Sequence, residues 1–283
     1  MSALNTAKLG VNVPLMEEYL RQLHLNTFVR NWESFAQDAA NSGCSYDGFL
    51  MGLAEVEVAH REKSRHLSRI KAARFPAMKE LADFDFAAVP SLNKVGLLEL
   101  ARGDYITKAE NVILIGNPGL GKSHVSIGLG LAACRQGHRV RFYNAATLVN
   151  ELLAAHDLHQ AERFIANARK QHLIVLDELG FIPFSASGAQ MLFQFCSALH
   201  DQVPLIINSN LKFADWVQLF GAETLTAALL DRLTHRAHII EFSGADSFRF
   251  KQRLKRLDKL DKLDKLDKSM QLTLSGGELA QPA

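Results

Sequence analysis

The chain has 283 residues, with 48% apolar and 22% charged side chains and a formal net charge of +2. That composition excludes a disordered polyelectrolyte and a polycationic nucleic-acid coat, and the length suits one large α/β domain with a smaller neighbour. No apolar run approaches the ~20 residues of a membrane span, and the opening "MSALNTAKLGVNVPLMEEYL" lacks the apolar core of a signal peptide. Cys44, Cys134 and Cys196 are too widely separated for a Cys-x-x-Cys zinc or disulfide framework, so buried free thiols in a reducing cytoplasm are expected.

The chain opens helically. Leu15, Tyr19, Leu20, Leu23 and Phe28 recur at three- and four-residue steps, which predicts one apolar helix face. A longer helix is expected after "SGCSYD", capped by Ser45 or Asp47. Its apolar positions are Phe49, Leu53, Val56, Leu67 and Ile70, and it ends at Phe75-Pro76. With no strand signal in this part, residues 1–80 are expected to form a small all-α domain.

Its last stretch, "REKSRHLSRIKAARFPAMK" (61–79), carries Arg61, Lys63, Arg65, Arg69, Lys71, Arg74 and Lys79 against the single acid Glu62. The local charge is +6, and subtracting it from the chain total of +2 leaves −4 elsewhere. Positive charge concentrated in one helical segment suits the phosphate backbone of double-stranded DNA, with no sign of base readout. The plainer alternative is a solvated helix face.

From about residue 81 the texture changes. The runs "NVILIG" (111–116), "HRVRFYN" (138–144), "HLIVLD" (172–177), "VPLIIN" (203–208) and "HIIEF" (238–242) alternate with helical stretches. Strands apolar throughout and separated by helices predict a parallel sheet buried on both faces, hence a doubly wound α/β domain over 81–253. The tail, 254–283, includes "LDKLDKLDKLDK" (257–268), whose triplet period gives no clean helix face. It reads as a solvated flexible tail, with a partner-binding helix as the alternative.

Within this frame, "GNPGLGKS" satisfies the pattern Gly-x-x-x-x-Gly-Lys-Ser/Thr directly after a strand and before a helix. Glycines allow successive N–H groups to turn inward around phosphate oxygens. Gly116, Asn117, Pro118, Gly119, Leu120, Gly121, Lys122, Ser123 and His124 thus form the candidate ATP cradle. Lys122 can reach the β- and γ-phosphates, the Ser123 hydroxyl can coordinate Mg2+, and the helix N-terminus favours the negative charge.

At the end of "LIVLD", Asp177 suits the magnesium and Glu178 suits orienting and deprotonating an attacking water. Acids at a helix start are ordinary capping residues, but beside a phosphate loop the pair points to an ATPase. Asn208, ending "VPLIIN", suits either a γ-phosphate sensor or ordinary turn chemistry. Arg232 in "AALLDRLTHRAHIIEF" suits either a surface ion pair or an arginine finger reaching a neighbouring subunit, and Arg249 in "DSFRF" carries the same ambiguity within its own subunit. Phe84 and Phe86 stand where they could meet the base, though core aromatics are the plainer reading.

These segments, taken in order, resemble the IstB-type transposition helper ATPases of insertion sequences, relatives of the DnaC helicase loader within the AAA+ class. The resemblance runs from about Leu15 to Arg253 and rests on "AARFPAMKELADFDF", "KAENVILIGNPGLGKSH", "AACRQGHRVRFYNAATLVNELL", "LIVLDELGFIPF", "LIINSNLKFADW" and "AALLDRLTHRAHIIEF". It implies a P-loop AAA+ domain preceded by a helical domain for DNA or partner contact, and since little foldable sequence follows Arg249, the AAA+ lid is expected to be reduced in this chain. It further implies the sensor-1 role for Asn208, the trans-acting finger for Arg232 and the sensor-2 role for Arg249. It implies too an ATP-dependent homo-oligomer on DNA that serves a transposase. Competing expectations are a replication helicase loader, a small-molecule P-loop kinase and a non-hydrolysing DNA scaffold.

Overall fold

The structure, a computed structural model, describes residues 12–243. Arg249 and the triplet tail lie outside them. The chain divides into two compact units, Met1–Ser68 and Arg69–Ala283. Residues 69–80, read from composition as part of the helical domain, group with the second unit.

The first unit begins with α1 (Val13–Gln22), whose N-cap Asn12 accepts from the Leu15 N–H through Oδ1. His24, with φ +56°, turns the chain into α2 (Asn26–Ser42). Helix α3 (Tyr46–Ala73) follows, and the Ser45 hydroxyl accepts from Gly48 N at its start, so the cap is Ser45 and not Asp47. The apolar face expected from helical spacing is only partly covered. Leu53 is buried, whereas Leu15, Tyr19, Leu23 and Leu67 are exposed. In place of a continuous apolar seam stands a buried carboxylate, since Glu57 of α3 accepts from Thr27 N in the first turn of α2. That hydrogen bond satisfies a helix-end donor that lacks a local cap.

In the second unit, Lys94–Leu100 forms α4 and Asp104–Thr107 forms α5. Strand and helix then alternate through β1 (Asn111–Gly116), α6 (Lys122–Arg135), β2 (Val140–Asn144), α7 (Ala145–Asp157), α8 (Ala161–Ala168) and β3 (Leu173–Leu179). They continue through α9 (Ala186–Leu199), β4 (Leu205–Ser209), α10 (Trp216–Phe220), α11 (Glu223–Thr234) and β5 (Ala237–Phe242). The strands form a parallel sheet in the order β2-β3-β4-β1-β5.

Alternation along the strands builds two cores. Ile113, Ile115, Ile174, Leu176, Leu205 and Ile207 point into the layer closed by α7, α9, α10 and α11. Val112, Leu114, Leu173, Val175 and Ile206 point into the opposite layer, closed by α6 and the segment around Phe84 to Ile106. Both faces of β1, β3 and β4 are therefore dry, as their unbroken apolar runs require. The parallel sheet flanked by helices and the helical N-terminal region match the expected class.

Two expectations need correction. The two edge strands are not buried on both faces: β5, paired only with β1 among the described residues, leaves Ile239 51% exposed, and β2, paired only with β3 among the described residues, leaves Arg141 and Tyr143 half-buried. The thiols are free, but Cys44 is exposed. Cys134 and Cys196 are buried, and burial pushes their thiols up to about 11 and about 12.

Candidate functional site

Parallel strands with helices on both sides present their C-terminal ends to one rim, where ligands of such folds bind. Here β1, β4 and β3 are neighbours, so the phosphate loop, Asn208 and Asp177 come side by side although they are far apart in sequence. They line a cavity of about 580 Å³. Its walls include Pro118 to His124 of the loop, Asp177, Glu178 and Asn208, together with Met78, Lys79 and Phe84 from the segment ahead of α4.

The loop's backbone is held open by close approaches. Gly116, at φ +146°, lies so near β5 that an added Cβ would stand 2.3 Å from the Phe242 carbonyl oxygen. Gly121, at φ +94°, faces Phe84, whose ring carbon would be 2.6 Å from a Cβ there. Both positions demand glycine for space and for backbone conformation. The Lys122 ammonium donates to the carbonyls of Gly116 at 2.6 Å and Asn117 at 2.9 Å, curling over its own loop.

Asp177 is a buried junction. Its Oδ1 accepts from the Ser123 hydroxyl at 2.9 Å, the Asn208 amide at 2.7 Å and the Glu178 backbone N–H at 3.0 Å. The Asn208 amide also donates to Ser126 on α6, which links the tip of β4 to the helix behind the loop. A hydroxyl and a carboxylate at this separation are hard oxygen donors of the kind a small divalent cation takes.

The acidic pair does not end its strand as expected from "HLIVLD". β3 continues to Leu179, and its pairing with β4 shifts between Leu176 and Leu179. At that irregularity Glu178 adopts φ +61°, in the left-handed region that is costly for a non-glycine residue. Successive strand residues point to opposite faces, and the irregularity lets both carboxylates line one cavity. Asp177 is buried and Glu178 exposed.

Sequence reading missed Asn144. Its amide donates to Glu178 Oε2 at 2.7 Å, while its Oδ1 accepts from Ala146 and Thr147 N–H groups and caps α7. Asparagine before a helical run was a legible cap signal. Its meeting with Glu178 depends on the β2–β3 register, in which Asn144 pairs with Asp177. Removing the cap predicts a loss of about 1 kcal/mol in Asn144→Ala, whereas Asn144→Ser, which keeps a cap acceptor, should stay within a few tenths of the parent. Thermal unfolding of the two variants checks this.

Other expected site residues fall elsewhere. Arg232 does not line the cavity of its own chain. Its guanidinium stands 4.6 Å from the Phe193 ring centroid and donates to the Ser197 hydroxyl. Phe84 is buried in the core and also lines the cavity, while Phe86 packs against that core.

The basic residues differ in their surroundings. Arg61 is paired with Glu57 at 2.5 Å and donates to the His24 carbonyl. Lys63 and Arg65 are exposed on α3 in the first unit. In the second unit Lys71 and Arg74 are exposed and Lys79 lines the cavity. Arg69 is half-buried; with burial as the larger cause, its charge helps hold the His138 imidazole below its ordinary value.

Comparison with known proteins places these features in context. The family described as IstB-like ATP binding protein matches residues 18–256. The chain is 31% identical over 238 residues to the ATP-binding protein assigned to insertion sequence IS5376 of Geobacillus stearothermophilus, covering 84% of this chain and 94% of that one. It is 33% identical over 240 residues to the IS21 counterpart of Pseudomonas aeruginosa, covering 85% and 90%. Among solved structures, the DnaC helicase loader is similar with TM-score 0.46 and 16% identity, over 53% of this chain and 87% of that one. DnaI is similar with TM-score 0.49 and 15% identity, over 60% and 90%. No helix among the described residues is long and apolar enough to cross a membrane.

Proposed function

Because the chain belongs to the IstB-like ATP-binding protein family, we propose that it is a magnesium-dependent AAA+ ATPase that assembles on double-stranded DNA and assists a partner transposase in engaging its target. The observation that carries the ATPase reading is the convergence of Ser123, Asp177, Glu178 and Asn208 around one cavity behind the phosphate loop. The relatives' place in insertion sequences supports the transposition role.

In this reading the backbone from Gly116 to His124 cradles the ATP phosphates, with the Lys122 side chain as the fixed cation. Ser123 and Asp177 are the residues that would hold magnesium, which when bound neutralises charge on the β- and γ-phosphates. Glu178, oriented by Asn144, takes a proton from the attacking water. Asn208, tied to Asp177 and Ser126, orients groups at the γ-phosphate. Arg232 serves a neighbouring subunit of a homo-oligomer, for which its guanidinium must leave Ser197. Arg249 keeps its proposed sensor role within its own subunit. Hydrolysis then governs how long the assembly stays on DNA, and a cytoplasmic location follows from that work.

Arg61, Lys63, Arg65, Arg69, Lys71, Arg74 and Lys79 remain the proposed DNA-binding residues, with the exposed Lys63, Arg65, Lys71 and Arg74 the most accessible of them. Removing one cation that neutralises a DNA phosphate should flatten the salt dependence of affinity by about 0.9 in logarithmic slope. Neutralising Lys63, Arg65, Lys71 and Arg74 together is therefore expected to weaken duplex binding and lower that slope by roughly 3 to 4. A slope equal to the parent's would remove these residues from the interface. The broader reading is tested by measuring ATP turnover and oligomer size with and without duplex DNA. Turnover and size both indifferent to duplex would overturn it.

A further inference from the structure

The segment from Met78 to Val89, which supplies part of the cavity wall, has no sheet pairing to hold it. It is fastened to α6 instead, along one line of that helix. His124 Nε2 lies 2.7 Å from the Glu80 carbonyl oxygen, and since a carbonyl only accepts, Nε2 carries the proton. One turn on, Leu81 packs over Gly128. Near the helix's end Arg135 forms an ion pair with the Glu80 carboxylate. Positions 124, 128 and 135 recur at helical spacing on one face, so Glu80 and Leu81 ride along α6 like a strap.

His124 differs from the other two fastenings in its surroundings. It lines the cavity directly after Ser123 and bears the Phe84 ring edge-on, with centroids 5.3 Å apart and planes at 84°. Phe84 in turn touches Gly121 of the phosphate loop and lines the same cavity. One imidazole thus joins the start of α6, at the phosphate loop, to the 80–84 stretch of the cavity wall. Met78, Phe84, Ala88 and Val89 line the same cavity as the loop, and on the ATP reading the nucleoside would lie against them.

We propose that His124 is a positioning residue for nucleoside binding: its Nε2–H bond to Glu80 sets the wall at the distance at which base and phosphates are gripped together. The inference rests on the ATP reading above. Leu81 and Arg135 still fasten the segment when His124 is replaced, so the wall shifts without detaching. The consequence is specific to ligands that carry a nucleoside.

The test compares wild-type protein with His124→Ala and His124→Gln, the glutamine amide being able to reach the same carbonyl. Affinities are measured for MgATP, MgADP and inorganic tripolyphosphate, with KM and kcat for ATP alongside. In the alanine variant ATP and ADP should weaken by a common factor of about ten, the order expected for one partly buried hydrogen bond and its ring packing. Tripolyphosphate affinity should hold, KM should rise by more than kcat falls, and the glutamine variant should recover most of the affinity. His124→Leu, which fills the space without a donor, replaces alanine if that variant does not fold. Unchanged nucleotide affinities, an equal weakening for tripolyphosphate, or a glutamine variant as weak as alanine would each overturn the proposal. Wild-type protein that fails to bind MgATP would overturn the ATP reading itself, so the two failures are distinct.

Discussion

Replacing Glu178 by glutamine is expected to lower ATP turnover by on the order of 10²- to 10⁴-fold while leaving ATP bound, the range for loss of a general base. The substitution is nearly isosteric, and a glutamine oxygen can still accept from the Asn144 amide that now meets Glu178 at 2.7 Å. What disappears is the capacity to take a proton. Steady-state turnover, read beside binding of a fluorescent ATP analogue, decides the matter. A variant that hydrolyses like the parent would leave Glu178 as a structural acid.

The second large effect is expected at Lys122. On the proposed ATP reading, truncation to alanine should weaken MgATP binding on the order of 100-fold or more, because it would delete a charge-assisted hydrogen bond to phosphate. Lys122 is 6% exposed and already bonded to the carbonyls of Gly116 and Asn117. Its ammonium therefore organises the loop as well as supplying charge, and the truncation removes both. Equilibrium titration with nucleotide measures the change, and thermal unfolding separates it from loss of fold. An affinity within about threefold of the parent would place the phosphates elsewhere.

Not every part of this site was equally legible. The loop from Gly116 to His124 could be read because its chemistry is local: glycines, lysine and hydroxyl must follow one another for the backbone to wrap phosphate. Asp177 and Glu178 were legible for the same reason, at the end of an apolar run. The ordered set of segments resembling insertion-sequence helper ATPases agrees with the family match over 18–256. By contrast, nothing adjacent in sequence joins Asn144 to Glu178, His124 to Glu80, or Arg232 to Phe193.

By itself, then, the sequence determined the helical beginning, the alternation of strands and helices, the double-sided burial of β1, β3 and β4, and the identity of the phosphate loop. Each follows from spacing within one segment, where side-chain direction has a known period. Tertiary structure alone decided the strand order β2-β3-β4-β1-β5, and with it which strand tips meet, which strands are left at the edges, and which neighbour holds Glu178. Apolar strands that are dry on both faces look alike in sequence, so their neighbours are chosen by how the intervening helices pack, a choice no local period records.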